Sequence, residues 1–433
     1  MQAIGKYRWT ICSLVFFATT INYLDRAVIS LLKDTLEEQF HWTESDYSDI
    51  VIAFQVSYAV GMLIMGRVID RLGTKIGYAV SILLWSIAAI GHAVVKTTMG
   101  FVIARSALGV SEAGNFPSAI KTTAEWFPKR ERALATGIFN SGANVGAILA
   151  PLTVPLIEAK WGWEMAFILT GAIGFLWLIF WFMFYEIPAK QKRLKKEEYE
   201  YIHSDVDERP SDSGLVEDKG KVSWFRLLGF RQTWAFVMGK FLTDPVWWFY
   251  LFWLPAFLKA QYGIEGTGVM LPIATVYTMS TVGSIFGGWL PLHFIRKGWA
   301  VYRSRKTSMF IYALFALPVL FAQVSGEVNM WLAIFIIGIA ASAHQAWSAN
   351  IFTTVSDMFP KKAVGSVTGM GGTAGALGGI LIAFLAGKLF DHYKAIGQLE
   401  TGYYIMFLVC GGAYLLAWGV MHFLVPKMKR VEI

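Results

Sequence analysis

Runs of apolar residues, each closed off by polar or charged ones, recur along this chain from Trp9 to Leu424. A run of about 20 such residues crosses the roughly 30 Å hydrocarbon core of a bilayer as one helix. The pattern predicts twelve spans, at 9–32, 48–69, 76–95, 98–121, 132–156, 163–185, 234–258, 270–294, 307–323, 330–354, 364–388 and 403–424. The expected fold class is an all-α membrane protein: twelve transmembrane helices in two pseudo-symmetric six-helix bundles. The composition agrees, with 55% of the 433 residues hydrophobic and only 16% charged. A soluble chain does not carry so many apolar runs.

Charge orients the spans. Of 38 Lys and Arg, 29 fall at the termini and in the loops from even to odd spans, and six in the opposite loops. Both termini are therefore expected in the cytoplasm. The net charge of +8 follows from this loop bias and does not argue for nucleic acid. Lys6 and Arg8 would suit the start of a signal peptide, but no small-x-small site follows and Asp25-Arg26 interrupts the run. The first run is read as a retained helix. Cys12 and Cys410 are read as small core residues, not as a disulfide or metal site. Trp161, Trp163, Tyr403 and Tyr404 are read as interfacial belt residues.

A long hydrophilic stretch divides the spans six and six. The expected domains are an N-terminal bundle at 1–186, a solvated cytoplasmic linker at 187–230 and a C-terminal bundle at 231–433. The basic start of the linker, from Lys190 to Lys196, suits anionic lipid headgroups. The halves repeat. Phe127-Pro128-Lys129 returns as Phe359-Pro360-Lys361, and Thr136-Gly137 as Thr368-Gly369, with no gap between them. Two related six-helix halves around a central site suit a transporter. The same offset sets His344 at the position of Glu112. Glycines crowd the fifth and eleventh spans, a spacing for close helix approach, sliding or plain tight packing.

Four ionisable residues then stand out inside apolar runs: Asp25, Arg26, Arg105 and Glu112. Such groups are costly at membrane depth unless paired or facing a polar cavity. Arg105 and Glu112, seven apart, share a helix face. The planar fork of Arg105 suits a carboxylate, or a structural pair with Asp25 or Glu112. Arg26 suits either a substrate or Asp25. Asp25 and Glu112 are candidates to carry a proton, with a permanent salt bridge the other reading of Asp25. His344, Trp347 and Asn350 form a strip at i, i+3 and i+6 that could meet a polyol ring. For His344, hydrogen bonding stands against a proton relay. Trp247 to Tyr250 offer flat faces to a sugar or to lipid. Lys240 and Asp244, at i and i+4, are read as a structural pair. No metal-ligand cluster, phosphate-binding loop or nucleophile motif is present, and no cofactor is expected.

The loop after the second span reads Gly66-Arg67-Val68-Ile69-Asp70-Arg71-Leu72-Gly73-Thr74-Lys75. This G-x-x-x-D-R-x-G-x-K pattern resembles the signature of the major facilitator superfamily. The resemblance implies a conformational latch of Gly66, Asp70, Arg71, Gly73 and Lys75. Asn22-Tyr23-Leu24-Asp25-Arg26, Tyr58 and the stretch from Arg105 to Pro117 look like the anion:cation symporter family within it. The runs Asp244 to Pro255 and His344 to Asn350 are similar to the bacterial hexuronate transporters of that family.

The resemblance implies a proton-coupled importer of a sugar-acid anion, with Asp25 and Glu112 as its coupling acids. Arg105, Arg26, Tyr23, Tyr58, Asn22, Trp248, His344, Gln345, Trp347 and Asn350 are the expected substrate contacts. Another organic anion, such as galactonate or an aromatic carboxylate, is the alternative cargo. A non-transporting sensor and a membrane enzyme are the rival classes. Sodium stands as the alternative coupling ion. The expected setting is a bacterial inner membrane, multi-pass, with a monomer in the lipid bilayer. A cysteine introduced at Ser213 should resist a membrane-impermeant thiol reagent on intact cells stripped of any outer barrier; rapid labelling would invert the topology.

Overall fold

A computed structural model of the chain describes residues 5–205, 222–264, 268 and 270–432. Helices occupy all twelve predicted positions. They are Tyr7–Leu31, Glu44–Leu72, Thr74–Gly91, Thr98–Glu112 continued by Asn115–Trp126, Lys129–Trp161, Trp163–Phe184, Arg231–Tyr262, Met270–Arg296, Val301–Ala316, Met330–Met358, Lys361–Ala395 and Leu399–Leu424. No strand occurs among the described residues. Among the described residues, ten helical segments are long and apolar enough to cross a membrane; the fourth and seventh spans are the exceptions. The fourth is cut at Ala113-Gly114, directly after Glu112. The ninth ends in a 3-10 turn at Leu317–Phe321, begun by Pro318, before the short helix Ala322–Val328.

Local chemistry sets these ends. Thr43 and Asp46 form a reciprocal capping box, with Asp46 N–H donating to Thr43 Oγ1 at 3.2 Å and Thr43 N–H to Asp46 Oδ2 at 2.9 Å. Gly73 takes φ +77° in the one-residue turn between the second and third spans, a conformation that suits glycine. Pro128 and Pro360 cap the fifth and eleventh spans with nearly the same backbone, φ/ψ −63/151° and −65/150°. The repeated Phe-Pro-Lys thus marks a repeated helix start.

The repeat extends to packing. A Cβ on Gly369 would lie 2.2 Å from Met62 O, and one on Gly137 would lie 2.2 Å from Ser284 O. Gly66 meets Gly365 O in the same way, and Gly288 meets Ala133 O. Span two therefore crosses span eleven as span eight crosses span five, and glycine is what lets the backbones touch. Three other glycines of span eleven, spaced one turn apart, receive side chains of span seven: Phe236 against Gly371, Asp244 against Gly375, Trp248 against Gly379.

The two sets of six spans are clamped at the end that carries both termini. Asp70 accepts from Lys121 Nζ at 3.0 Å and from the backbone N–H groups of Gly365 and Ser366 at 3.1 and 2.6 Å. Those donors lie near the positive end of the eleventh helix. Lys75 donates to Glu186 at 2.7 Å, while Arg71 is exposed and outside this network. On the opposite side Asp357 lies between Arg305 and Arg132, and Arg132 Nη1 donates to Ser356 O at 2.7 Å. Arg305 also donates to the carbonyl of Lys129.

The expectation of a solvated linker does not hold at its flanks. Helix Lys196–Ile202 docks on the bundle: buried Glu198 accepts from the N–H groups of Tyr7 and Arg8 at 3.0 and 3.1 Å, donors left open at the first helix start. Tyr201 donates to Glu131 at 2.6 Å, and Asp205 accepts from Lys129 N–H at 2.7 Å. Burial and the neighbouring Glu131 push the Tyr201 hydroxyl above its usual pKa. Residues 206–221, with Ser213, lie outside the described residues. Trp163 and Tyr403, read as belt residues, are buried in helix packing. Asp70→Asn should weaken the clamp by about 1–3 kcal/mol, since each bond to the carboxylate is charge-assisted. A lower melting temperature and easier thiol labelling of a cysteine placed at Ser366 would report it; unchanged labelling would remove Asp70 from the clamp.

Candidate functional site

Arg26, five residues before the end of the first span, reaches the fourth. Its Nε donates to Glu112 Oε2 at 3.0 Å and its Nη2 to Asn22 Oδ1 at 3.3 Å. Three rings surround the guanidinium: Tyr23, Tyr58 and Phe54, with centroids at 4.6, 4.7 and 5.1 Å. Their faces favour a cation that has left water. Glu112 is fully buried, and its Oε1 has no hydrogen-bond partner. The helix break after Glu112 is held by Asn115, which accepts from Tyr78 at 2.6 Å and donates to Thr19 at 3.3 Å.

Arg105 lies two turns before Glu112 on the same helix. It is 3% exposed. Its Nη2 donates to the carbonyl of Arg26 at 3.1 Å, and Phe54 lies 4.8 Å from its carbon. Its Nε and Nη1 are buried with no hydrogen-bond partner. The fork is therefore charged, desolvated and open, a costly condition for a donor group. Neither structural pair considered for Arg105 is formed: Glu112 pairs with Arg26 instead, and Asp25 makes no ion pair among the described residues. Both Asp25 oxygens are buried without a hydrogen-bond partner.

The second set of spans contributes differently from the expected strip. His344 Nδ1 lies 2.7 Å from the Tyr414 hydroxyl, and its ring stacks on Trp247 at 5.2 Å. Trp347 is fully buried, edge-on to Tyr414. Asn350 donates to Gly287 O and Ala346 O at 2.6 and 2.9 Å, so it ties span ten to span eight. Each step of three residues turns the helix by about −60°, so the three cover an arc of about 120° and meet different neighbours. Gln345 meets Asn140 of span five at 2.7 Å, and Trp248 packs on Gly379. The structure brings together Asn22, Tyr23, Arg26, Tyr58, Arg105 and Glu112; it does not bring Trp347 or Asn350 to that group.

Phe54 was not singled out from sequence, although it sits one turn before Tyr58 and faces both arginines. Asn140 was missed too, with Asn144 one turn on, whose amide is buried and has neither atom partnered. The signal for all three was the i, i+4 spacing beside glycines or aromatics.

Comparison with known proteins places this arrangement. The family model described as Major Facilitator Superfamily matches residues 15–383. The chain belongs to that superfamily. It is 33% identical over 392 residues to the hexuronate transporter of Escherichia coli (strain K12), covering 90% of this chain and 89% of that one. It is 35% identical over 294 residues to the galacturonate transporter of Dickeya chrysanthemi, covering 68% and 84%. Among solved structures, the proton:xylose symporter XylE bound to 6-bromo-6-deoxy-D-glucose superposes with a TM-score of 0.76 at 17% identity, covering 98% of this chain and 97% of that one. FucP in the outward conformation superposes with 0.72 at 13% identity, covering 98% and 100%. These two likenesses show the twelve-helix fold. The superfamily member is thus a multi-pass membrane transporter and not an enzyme.

Proposed function

We propose that this transporter imports a hexuronate, glucuronate or galacturonate, together with protons across a bacterial inner membrane, as a monomer with both termini cytoplasmic. The observation that carries the reading is the open fork of Arg105 beside the Arg26–Glu112 pair. A carboxylate there would lie along one edge of the guanidinium, pairing one of the two orphaned nitrogens with the remaining N–H of Nη2, a bidentate contact that an ammonium cannot make. The similarity to hexuronate and galacturonate transporters supports a sugar acid as the cargo.

The geometry supports a coupling route. Arg26 joins Glu112 on one side, and its backbone carbonyl holds Arg105 on the other. An anion on Arg105 competes for the same positive charge that neutralises Glu112. Glu112 then exchanges its arginine for a proton, because a bare buried carboxylate is the costlier state. Asp25, buried without a partner, is the auxiliary acid. The membrane potential sets the need: one negative charge moved inward costs roughly 2.3 kcal/mol per 100 mV, which one proton cancels.

Three variants test this in one proteoliposome preparation. Arg105→Ala should abolish binding, and Arg105→Lys should rescue it poorly. Glu112→Gln should retain counterflow yet lose accumulation driven by a pH gradient. Accumulation that persists in Glu112→Gln moves the coupling role to Asp25 or His344, and accumulation driven by sodium replaces the proton. Glucuronate and galacturonate should compete for uptake while glucose does not. Competition by glucose equal to that of glucuronate would sink the anion site, and stronger competition by galactonate or an aromatic carboxylate would change the cargo.

A further inference from the structure

A second charged pair stands across from the arginines. Lys240 Nζ lies 2.7 Å from Asp244 Oδ2 on the seventh span. Counted along their helices, Asp244 and Glu112 lie at a similar depth, about 20 Å from the terminus-bearing end. Lys240 is one turn nearer that end, 5% exposed by side chain, with Phe352 at 4.1 Å. Phe352 stacks on Phe116 at 5.2 Å, so an aromatic pair from the two sets of spans lies beneath the lysine. The Asp244 side chain is 18% exposed. It rests against Gly375, where a Cβ would come within 2.1 Å of Oδ2. It also lies within electrostatic reach of Tyr23, whose ring covers Arg26.

The pair is therefore a fixed dipole. Its positive end is buried and its negative end is the more exposed, on a span of the other six from the arginine fork. Pro245 follows directly and has no N–H to give to Phe241 O, which meets Gly378 instead. Phe241 O therefore lacks its ladder donor at this turn and lies in close contact with span eleven.

We propose that Asp244 is the second pole of the substrate site: it accepts hydrogen bonds from the hydroxyl groups at the end of the sugar acid remote from its carboxylate, and it excludes a second carboxylate there. The inference rests on the sugar-acid reading above. An ionised acceptor bonds hydroxyl groups strongly and repels an anion, so one residue both holds a uronate and rejects the matching dicarboxylate. Lys240 positions the carboxylate from below.

The test compares glucuronate with glucarate, which replaces the far end by a second carboxylate, through competition in counterflow. For the wild type, glucuronate should compete far better. Asp244→Asn should weaken glucuronate by roughly tenfold, the worth of one bond to a charged group, and strengthen glucarate, shifting their ratio by more than tenfold. The double variant Lys240→Gln/Asp244→Asn removes both charges and should show the same shift, which covers the case in which an unpaired Lys240 prevents folding of the single variant. Lys240→Gln alone should leave glucarate excluded. A glucuronate-to-glucarate ratio equal to wild type in folded Asp244→Asn or in the double variant overturns the proposal while leaving the sugar-acid reading intact. Failure of glucuronate to bind the wild type overturns both.

Discussion

A positive charge that has been taken out of water and not fully paired is the constraint on which this protein turns. Arg105 has one hydrogen bond, to a backbone carbonyl, and two buried nitrogens without partners. A folded chain could remove that cost with one more acidic neighbour. Glu112 is two turns along the same helix and Asp25 is the neighbour of Arg26, yet neither closes the fork. The aromatic faces of Phe54, Tyr23 and Tyr58 soften the penalty without supplying an acceptor. They keep the arginines in place and leave their donors free. A site of this kind is stable enough to fold and unsatisfied enough to want an anion.

The rest of the fold serves that group in two ways. The cut in span four comes directly after Glu112, and the Asn115 side chain ties the second segment to Tyr78 of span three and Thr19 of span one. The clamp at the terminus-bearing end closes one route to the site. It is built from unlike parts on its two sides. Asp70 grips backbone N–H groups of span eleven, whereas Asp357 is held by Arg132 and Arg305. The glycine crossings repeat faithfully because backbone contact has one solution. The charges do not repeat, because several arrangements neutralise a helix end. The docked linker helix joins this clamp through Lys129, whose N–H is held by Asp205 and whose carbonyl is held by Arg305.

How much of this was legible beforehand follows from which forces act locally. Apolar run length and the charge between runs are local, and they placed every span, with ends that differ by at most about two turns. Phe-Pro-Lys was legible as a repeat because a proline cap acts on its own turn. The grouping of Arg26, Tyr23, Asn22, Tyr58, Arg105 and Glu112 was legible too, since an ion at membrane depth has few places to go. The partner of each ion was not. Arg26 and Arg105 differ only in which neighbour the packing of spans one, two and four presents, and no periodicity carries that. The strip from His344 to Asn350 failed for a related reason. Residues six apart on a helix look aligned in sequence but face different helices once Tyr414, Gly287 and Trp247 surround them. The linker helix escaped notice because it is polar, and its docking rests on one buried carboxylate, Glu198, rather than on an apolar stripe.

The central arginines and the clamp are not independent. Span four carries Glu112 at its break and Lys121 two turns later, and Lys121 is the cation that Asp70 holds. Span two carries Phe54 and Tyr58 against Arg26 and, further along, Gly66 and Asp70 against span eleven. Any rearrangement of the rings around Arg26 must be taken up by span two, and a rigid helix passes it to the Gly66–Gly365 crossing. That crossing has no slack, because a backbone carbonyl sits where a Cβ would be. A charge change at the centre therefore has a short mechanical path to the residues that hold one end shut. In the proposed cycle this path is what makes an anion and a proton, rather than either alone, the condition for reopening it.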